Sequence, residues 1–335
     1  MVKLARRAMM SSSALCLLVS FNSRTFATPV SAEEADETVG SSVQFSTHQY
    51  GTKTGQALYL NLIVDPSAGF EGKRPVILFS FGGGWEGGDR GDETSVTMWT
   101  HFLSLGYAVV AIDYRLGIKE AKKRGEFTNE NGTEMYLRAI EWGVEDLFDA
   151  TTFIVARADE WNLDAKRIVI IGGSSGATNS LVAEYNVANA TRLAQYHLPS
   201  GFRYAGVISM AGAFWLPAGT PLAFASKPAP IMFFHGGKDW LVTYDEVQDR
   251  FSGYGPQYYL REFPGPDFPK WFVDYPEGDH ILAALPLLTR QLEIQAFLER
   301  MVRDREELSI HTIEHSKVPS TFEGITQQKA AEGGK

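Results

Sequence analysis

The sequence of 335 residues predicts an α/β fold, in which a mostly parallel central sheet is covered by helices on both faces. Short, almost uninterrupted apolar runs alternate with longer segments in which apolar residues recur every three or four positions. Such runs are typical of strands buried on both faces, and the longer segments are typical of amphipathic helices. With 44% apolar and 21% charged residues, the chain has enough core-forming side chains for one large domain or two small ones.

Seven runs fit strands and five segments fit helices. The predicted strands span residues 58–64, 76–81, 108–113, 168–171, 206–210, 231–234 and 271–275. The predicted helices span residues 95–105, 134–158, 177–188, 244–251 and 284–303. A stretch without charged residues, 205–225, contains Pro217 and Pro221, which favour a buried strand and a loop over a membrane span. In open parallel sheets the chemistry lies at the carboxyl ends of the strands, so the residues that follow each strand are examined first.

Residues 1–32 predict an export signal. They begin with basic residues, continue with an apolar run at 14–21 and end in small residues, with cleavage expected at Ala27 or Ala32. The run is shorter than the roughly 20 apolar residues that span a bilayer, so no stable membrane insertion is expected. We therefore expect a secreted or periplasmic protein.

The folded domain is expected to occupy residues 49–303. Residues 33–48 are acidic and polar and predict a solvated linker. Residues 304–335 are polar and lose the apolar periodicity, which predicts a C-terminal tail that frays. The motifs described below run in order through one continuous stretch, and this favours a single domain.

Charge and cysteine content exclude several classes of partner and site. The net charge is −9, and it becomes −13 without the first 32 residues, which carry four basic residues and no acid. Such an acidic surface repels phosphate backbones and anionic lipid headgroups. Nucleic acids and membrane surfaces are therefore not expected as partners. The single cysteine, Cys16, lies in the predicted leader, which excludes a disulfide framework, thiol catalysis and a thiolate zinc site. The oligomeric state is left open.

A nucleophile motif follows the predicted strand 168–171. Residues 172–176 read Gly-Gly-Ser-Ser-Gly and lead into a predicted helix, which is the G-x-S-x-G pattern of a strand-to-helix nucleophile elbow. The tight turn requires small residues two positions before and after the nucleophile, and Ser174 has glycine at both. Ser175, with glycine and alanine at the same offsets, is the weaker alternative. The other alternative is a glycine-rich turn with an incidental serine.

A serine hydroxyl needs a base, and the base needs an orienting carboxylate. In sheets of this kind these residues follow the nucleophile in the order acid, then histidine. Asp239 and His280 each lie a few residues beyond a predicted strand, at the same edge of the sheet as Ser174. His235 also follows a strand, but it precedes Asp239 and is better explained as a brace for the Asp239 loop.

N–H donors are also required, because negative charge develops on the carbonyl oxygen of an ester under attack. In an elbow one donor is the amide of the residue after the nucleophile, here Ser175. Further donors are expected from residues 82–88, a glycine-rich loop after the predicted strand 76–81, because glycine lets the backbone approach a substrate closely. A phosphate-binding loop is the competing interpretation, but no Gly-Lys-Ser/Thr follows.

The order of these motifs resembles the esterase/lipase branch of the α/β-hydrolase superfamily. The similarity is to the hormone-sensitive-lipase-like esterases and the bacterial feruloyl and acetyl-xylan type esterases (BD-FAE-like), over about residues 50–300. The matching segments are Tyr50-Gly51 to Asp65-Pro66, Phe81-Gly82-Gly83-Gly84-Trp85, Gly106-Tyr107-Ala108 to Asp113-Tyr114-Arg115-Leu116, Trp161-Asn162-Leu163-Asp164, Gly172-Gly173-Ser174-Ser175-Gly176, His235-Gly236 with Asp239, and Gly278-Asp279-His280.

The resemblance implies a full set of catalytic groups and no metal or organic cofactor. The implied roles are Ser174 as nucleophile, His280 as base, Asp239 as its partner, and the amides of Gly83, Gly84 and Ser175 as the oxyanion hole. Two features depart from the family. Phe81 replaces the loop histidine, which puts the bracing of the glycine loop in question, and residues 117–134 form a charged insert that we expect to border the pocket.

These observations predict a serine carboxylesterase that works through an acyl-enzyme on small-molecule or polysaccharide-linked esters. Trp85, Tyr114 and Trp215 are expected to line the substrate cleft, although aromatic residues near strand ends more often pack in the core. A peptidase or a lipase on the same fold is an alternative, but the insert is too polar for an apolar lipase lid. A non-catalytic binding protein on a hydrolase scaffold is another, since fold alone does not establish activity.

Overall fold

The computed structural model describes residues 42–91 and 93–318. The predicted export signal and most of the predicted linker lie outside these residues. The strands are β1 Gln44–Lys53, β2 Gln56–Val64, β3 Arg74–Ser80, β4 Ala108–Ile112, β5 Leu163–Gly173, β6 Gly206–Met210, β7 Phe214–Pro217, β8 Ile231–Gly236, β9 Glu246–Gln248, β10 Phe251–Tyr254, β11 Lys270–Tyr275 and β12 Ser309–Ile313.

The helices connect successive strands along the chain. They are α1 Thr100–Ser104, α2 Gly117–Lys123, α3 Gly132–Arg157, α4 Ser175–Ala188, α5 Arg192–His197, α6 Pro256–Glu262, α7 Pro286–Thr289 and α8 Gln291–Phe297. Two 3₁₀ segments, Glu93–Trp99 and His280–Ala283, and the π-helical turns Leu298–Arg303 complete the helical structure of the described residues.

The main sheet, as far as the described residues form it, has nine strands in the order β1-β2-β4-β3-β5-β6-β8-β11-β12. β2 runs antiparallel to both of its neighbours, β1 and β4. All the other neighbouring pairs, along the order β4-β3-β5-β6-β8-β11-β12, are parallel. Gly173 at the end of β5 lies opposite Met210 of β6, which lies opposite Phe234 of β8. The carboxyl ends of these strands therefore meet at one edge.

The core is built on both faces of this sheet. Along β3, Val76 and Leu78 pack on one face with buried side chains of α3 and α4, whereas Ile77 packs on the other with α1 and α8. This alternation follows from the two-residue period of a strand. The predicted α/β fold, with a mostly parallel sheet covered on both faces, is confirmed.

Two of the predicted helices differ in the structure: one is replaced by strands, and the other is interrupted. Residues 244–251 have helical apolar spacing, but they contain β9 and lead into β10, because β10 pairs with both β9 and β7 in a small antiparallel sheet. The predicted helix 284–303 is broken at Arg290, where the backbone leaves helical geometry between α7 and α8. The Arg290 guanidinium holds this junction by donating to the hydroxyl of Tyr275 at 2.6 Å.

The sheet is also wider than the predicted domain boundaries of 49–303. Residues 44–48 of the predicted linker belong to β1, and residues 309–313 of the predicted tail form β12. β12 is held by polar contacts to β11, among them the Trp271 indole N–H to Thr312 Oγ1 at 3.1 Å. β1 and β12 are half-exposed edge strands, in which apolar and polar residues alternate only weakly. The sequence pattern therefore did not predict either strand.

None of the helices that the structure describes is long and apolar enough to span a membrane. The charge-free stretch 205–225 folds as β6 and β7 with connecting loops, in agreement with the expectation of a buried strand followed by a loop.

Candidate active site

The turn between β5 and α4 holds Ser174 in a strained conformation. Its φ is 52° and its ψ −119°, a region that residues with a side chain rarely occupy. A Cβ on Gly172 would lie 2.3 Å from the Gly176 carbonyl oxygen, and one on Gly176 would lie 2.0 Å from the Ser80 oxygen. The glycines of the motif are therefore steric requirements of the turn, and the turn projects the serine from the end of the strand.

The structure brings the three predicted catalytic residues together. His280 Nε2 lies 2.9 Å from Ser174 Oγ, and His280 Nδ1 lies 2.8 Å from Asp239 Oδ2. His280 begins the 3₁₀ segment after β11, and Asp279 caps this segment by accepting the Ile281 N–H at 3.0 Å. The side chains come from three loops at one sheet edge, as the chain order predicted.

Asp239 is set up to remain ionised. Its side chain is fully buried, and its Oδ1 accepts the backbone N–H groups of Leu241 and Val242 at 2.9 and 3.0 Å. Burial raises the pKa of this carboxyl, but the hydrogen bond and charge of His280, with His235 and Val242, lower the pKa more, so that it falls below its usual value. The carboxylate fixes the Nδ1–H tautomer of His280 and leaves Nε2 to accept a proton from the serine.

His235 has a different position. It is buried, its Nε2 donates to the Val242 carbonyl at 3.2 Å, and it lies 3.4 Å from Asp239 Oδ2. Burial lowers the pKa of its imidazole, so the neutral form is favoured. These contacts agree with the sequence interpretation of His235 as a brace for the Asp239 loop.

The glycine loop lies against the nucleophile, but one predicted donor is already engaged. A Cβ on Gly82 would come within 3.3 Å of Ser174 Cβ, which places the loop beside the serine. The Gly84 N–H donates to Ser175 Oγ at 3.0 Å, so in this structure it does not act as the free oxyanion donor that was expected. The Ser175 N–H lies in the first turn of α4, where amides have no intrahelical acceptor. Gly83 and Ser175 remain the candidate donors.

The predicted substrate-lining aromatics are mostly core residues. Tyr114 is 1% exposed and its hydroxyl donates to the Phe81 carbonyl at 2.8 Å, so the expectation that it lines the cleft is wrong. Trp85 is 7% exposed and its indole N–H donates to Asn179 Oδ1 at 3.0 Å, which places it in the core as well. Trp215 is half-buried on β7, and its place at the cleft stays a prediction.

The charged insert contacts the glycine loop. Its first part forms α2, and the Trp85 carbonyl accepts the N–H groups of Ile118 and Lys119 at 3.2 Å each. Lys122 Nζ lies 2.5 Å from Glu86 Oε1. The sequence had suggested proximity to the pocket but not this attachment. Asn179, four residues after Ser175 on one helix face, was also missed, although that spacing is visible in the sequence.

One cluster outside this site has the composition of a metal centre. Among the described residues, Glu145, Asp149 and His197 bring potential ligand atoms within 4.8 Å of one another. The Lys53 ammonium, however, lies 2.7 Å from a carboxylate oxygen of each acid, and the Arg115 guanidinium lies 2.5 Å from Glu145. The cluster is thus an ion-pair network in which the chain's own cations balance the acids.

A serine on a strand-to-helix elbow, with an acid and a histidine from later loops of a mostly parallel sheet, has the arrangement of an α/β hydrolase. The BD-FAE family model matches residues 63–125, which contain β3, the glycine loop, β4 and α2. The predicted resemblance to BD-FAE-like α/β hydrolases is thereby confirmed. The comparison with curated protein sequences gave no match.

Solved structures share the fold. Esterase 2 of Thermogutta terrifontis, phosphonylated by cyclosarin, superposes with a TM-score of 0.53 at 18% identity, over 76% of this chain and 94% of that chain. Esterase B of Lactobacillus rhamnosis superposes with a TM-score of 0.56 at 16% identity, over 82% of this chain and 90% of that chain. At these identities the likeness establishes the α/β-hydrolase fold.

Proposed function

We propose that this chain is a serine carboxylesterase that cleaves carboxylic esters through an acyl-enzyme. The observation that carries the proposal is the hydrogen-bonded chain from Ser174 through His280 to the buried Asp239, mounted on a strained elbow. Strain of this kind persists only where the surrounding structure enforces it, and it concentrates at functional sites. A purely structural role would not explain why the Ser174 hydroxyl is hydrogen-bonded to a histidine that is itself hydrogen-bonded to a buried carboxylate.

In the proposed mechanism, Ser174 Oγ attacks the ester carbonyl while His280 Nε2 takes its proton. Asp239 stabilises the imidazolium that forms, and the backbone N–H groups of Gly83 and Ser175 stabilise the oxyanion. The imidazolium then gives its proton to the departing alcohol, which leaves an acyl-Ser174 ester. Water, deprotonated by His280, attacks this ester, and the acid leaves as Ser174 recovers its proton.

The structural relatives support this choice of reaction. The Thermogutta esterase is described as phosphonylated by cyclosarin, and another of its structures is described as propionate bound. Phosphonylating agents react with an activated nucleophile, and a short carboxylate is the acid product of an ester. We therefore propose short acyl esters and organophosphonate probes as the first reagents for this chain.

Substitution Ser174→Ala is expected to abolish hydrolysis of a short-chain aryl ester and labelling by a fluorophosphonate probe, without change in the circular dichroism spectrum. The matched control is Ser180→Ala, which removes another buried hydroxyl from α4 and is expected to keep both activities. Mass spectrometry of the labelled peptide is expected to place the adduct on Ser174 and not on Ser175. Undiminished activity or labelling in Ser174→Ala would contradict the proposal.

We further propose that the enzyme is exported and acts on carbohydrate-linked acyl groups as well as small esters. Support comes from the signal-like residues 1–32, since an exported esterase meets polymer-linked esters, and from the resemblance to feruloyl and acetyl-xylan type esterases. A panel of acetyl, butyryl, feruloyl and longer acyl esters, free and polysaccharide-linked, is expected to show a higher kcat/KM for linked substrates. Equal or lower values on linked substrates would limit the proposal to small esters.

Export has its own test. The protein expressed with residues 1–32 is expected in the periplasm or medium, with a mature N-terminus after Ala27 or Ala32. A chain that retains Met1 and stays in the cytoplasm would contradict the proposed location.

A further inference from the structure

The glycine loop is held in a disfavoured backbone conformation. Gly83, Gly84 and Trp85 have φ values of 135°, 64° and 58° in succession. Glycine accepts such angles, but a bulky residue such as tryptophan at positive φ is a steric outlier. A loop of this kind keeps its shape only if groups outside it hold it there.

Two side chains of α4 hold the loop. Ser175 Oγ accepts the Gly84 N–H at 3.0 Å, and Asn179 Oδ1 accepts the Trp85 indole N–H at 3.0 Å. These two residues are four positions apart and therefore lie on the same face of the helix. Because α4 begins directly after Ser174, the same helix sets the position of the nucleophile and of the loop beside it.

The Ser175 hydroxyl is also part of a longer chain of hydrogen bonds. The Tyr114 hydroxyl donates its one hydrogen to the Phe81 carbonyl at 2.8 Å and lies 3.2 Å from Ser175 Oγ. Ser175 must therefore donate to Tyr114 while it accepts from Gly84. The chain Gly84 to Ser175 to Tyr114 to Phe81 thus ties the third residue of the glycine loop to the residue that precedes the loop.

The surroundings of this chain keep it intact. Ser175 and Tyr114 are 2% and 1% exposed, so water does not compete for their hydrogen bonds. The Phe81 ring stacks on Tyr114 with centroids 4.3 Å apart and planes at 24°. Burial raises the pKa of Tyr114 well above its usual value, so its hydroxyl keeps the hydrogen that Phe81 receives.

We propose that Ser175 and Tyr114 are positioning residues whose hydroxyls hold the glycine loop in the shape that presents the Gly83 N–H to the oxyanion. They replace the bracing that the family's loop histidine is expected to give, at the position where this chain has Phe81. Ser175 then has two separable functions: its backbone N–H is a candidate oxyanion donor, and its side chain fixes the rest of the oxyanion hole. The inference rests on the proposed esterase function.

The test compares Ser175→Ala, Tyr114→Phe and the double variant with the wild type on one aryl ester. Removing a single oxyanion donor costs about 10²- to 10³-fold in kcat, so loosening the loop is expected to cost about 10- to 100-fold in Ser175→Ala. Because Tyr114 acts through Ser175, the double variant is expected to match Ser175→Ala within about twofold instead of showing the product of the two losses. KM is expected to stay within about twofold, since the interaction is made in the transition state.

Two further readouts separate positioning from structural support. The rate constant of inactivation by a fluorophosphonate is expected to fall by the same factor as kcat, and hydrogen exchange of residues 82–88 is expected to accelerate. The controls Ser180→Ala and Tyr204→Phe remove a buried serine hydroxyl and a buried tyrosine hydroxyl that do not bond to the glycine loop. The Ser180 hydroxyl donates to the Gly176 carbonyl, and the Tyr204 hydroxyl bonds to the Thr151 hydroxyl. Both are expected to keep wild-type kcat.

The outcomes are distinct. If Ser174→Ala is inactive while Ser175→Ala and Tyr114→Phe stay within twofold of wild-type kcat, the positioning inference is overturned and the esterase function stands. Losses of equal size in the two controls, or losses confined to KM, also overturn it. If Ser174→Ala retains activity, the proposed function itself fails, and the inference fails with it. If Ser175→Ala does not fold, the kcat of Tyr114→Phe alone decides whether the positioning inference stands. This variant removes the hydroxyl but keeps the aromatic ring that stacks on Phe81.

Discussion

Asp239 shows how one side chain combines burial with charge. Its Oδ1 accepts two backbone N–H groups, and its Oδ2 faces His280 Nδ1 at 2.8 Å and His235 Nε2 at 3.4 Å. Substitution Asp239→Asn keeps the shape but presents an amide to Nδ1, and this favours the wrong imidazole tautomer. We expect kcat to fall by about 10³- to 10⁴-fold with little change in KM, as measured by steady-state hydrolysis of an aryl ester.

The control for this substitution is Asp245→Asn. Asp245 is a half-exposed acid that pairs with Arg261, and its neutralisation is expected to leave kcat unchanged. An Asp239→Asn enzyme within tenfold of wild type would show that the carboxylate does not orient the base.

Glu184 is a buried acid on α4 that predicts a pH dependence of stability. Its Oε1 accepts the Ala229 N–H at 2.8 Å, and its Oε2 has no hydrogen-bond partner among the described residues. Burial raises the pKa of this carboxyl to about 7, against the lowering effects of the Ala229 N–H and the Arg203 charge. Since the unfolded chain releases this proton near its usual pKa of 4.5, the folded state binds more protons between pH 4.5 and 7.

The free energy of unfolding should therefore fall through this window as the pH rises. Relative to Glu184→Gln, which cannot ionise, we expect the wild type to lose up to about 3 kcal/mol between pH 5 and pH 8, from urea denaturation at both values. In the control Glu160→Gln, which replaces an exposed acid, the free energy of unfolding should change between the two pH values by the same amount as in the wild type. If the wild type and Glu184→Gln instead change by equal amounts, Glu184 does not keep its proton in the folded state.

At the scale of elements, β12 closes one edge of the sheet. Its His311 stacks on Phe272 with ring centroids 5.3 Å apart and contacts Asp274 Oδ2 at 3.1 Å, and β12 covers the largely buried strand β11. A chain that stops after Leu308 leaves β11 as an open edge. We expect it to melt about 5 °C or more below the full chain and to aggregate on heating, as followed by circular dichroism and light scattering.

A chain that stops after Val318 keeps β12 and provides the matched comparison. Its melting temperature is expected to equal that of the full chain. Equal melting of the two truncated chains would show that β12 adds no stability to the sheet.

The elements predicted from the sequence are those whose signal is local. Buried strands such as β4 are unbroken apolar runs in the sequence, and the elbow of Ser174 is marked by glycines that the turn requires sterically. β9 and β10 were not predictable in this way, because β10 pairs with the distant strand β7, where Phe251 lies opposite Pro217, and no local spacing reports this pairing. Tertiary pairing overrode a helical apolar pattern there.

The same distinction applies to the site. Ser174, Asp239 and His280 were predictable because each follows a strand, and parallel strands end at a common edge. Tyr114 and Trp85 also follow strands, but the direction of their side chains depends on partners distant in sequence, Phe81 and Asn179. Position along the chain therefore located the backbone of the site and not the orientation of every side chain.

At the scale of the whole molecule, the two core clusters share the same strands. Ile77 and Leu78 are neighbours on β3, both fully buried, and they pack on opposite faces. We expect Ile77→Ala and Leu78→Ala each to lower the free energy of unfolding by about 2–5 kcal/mol. Both are expected to shift one common transition, monitored by far-UV and near-UV circular dichroism in urea.

The exposed substitution Tyr196→Ala is the control, because this side chain is 83% exposed and its loss should leave the transition in place. Two separate transitions, each sensitive to only one of the core variants, would show that the faces unfold independently.

The attachment of α2 to the glycine loop carries an evolutionary consequence. Surface connections ordinarily gain and lose residues freely, because their backbone is bonded to water. Residues 117–134 are not free in this sense, since the Trp85 carbonyl accepts two of the first amides of α2 and Lys122 is paired with Glu86. A change of length near the start of this connection would be transmitted to the backbone beside the nucleophile, so we expect descendants of this chain to vary the connection after residue 124 and to keep residues 117–123 in register.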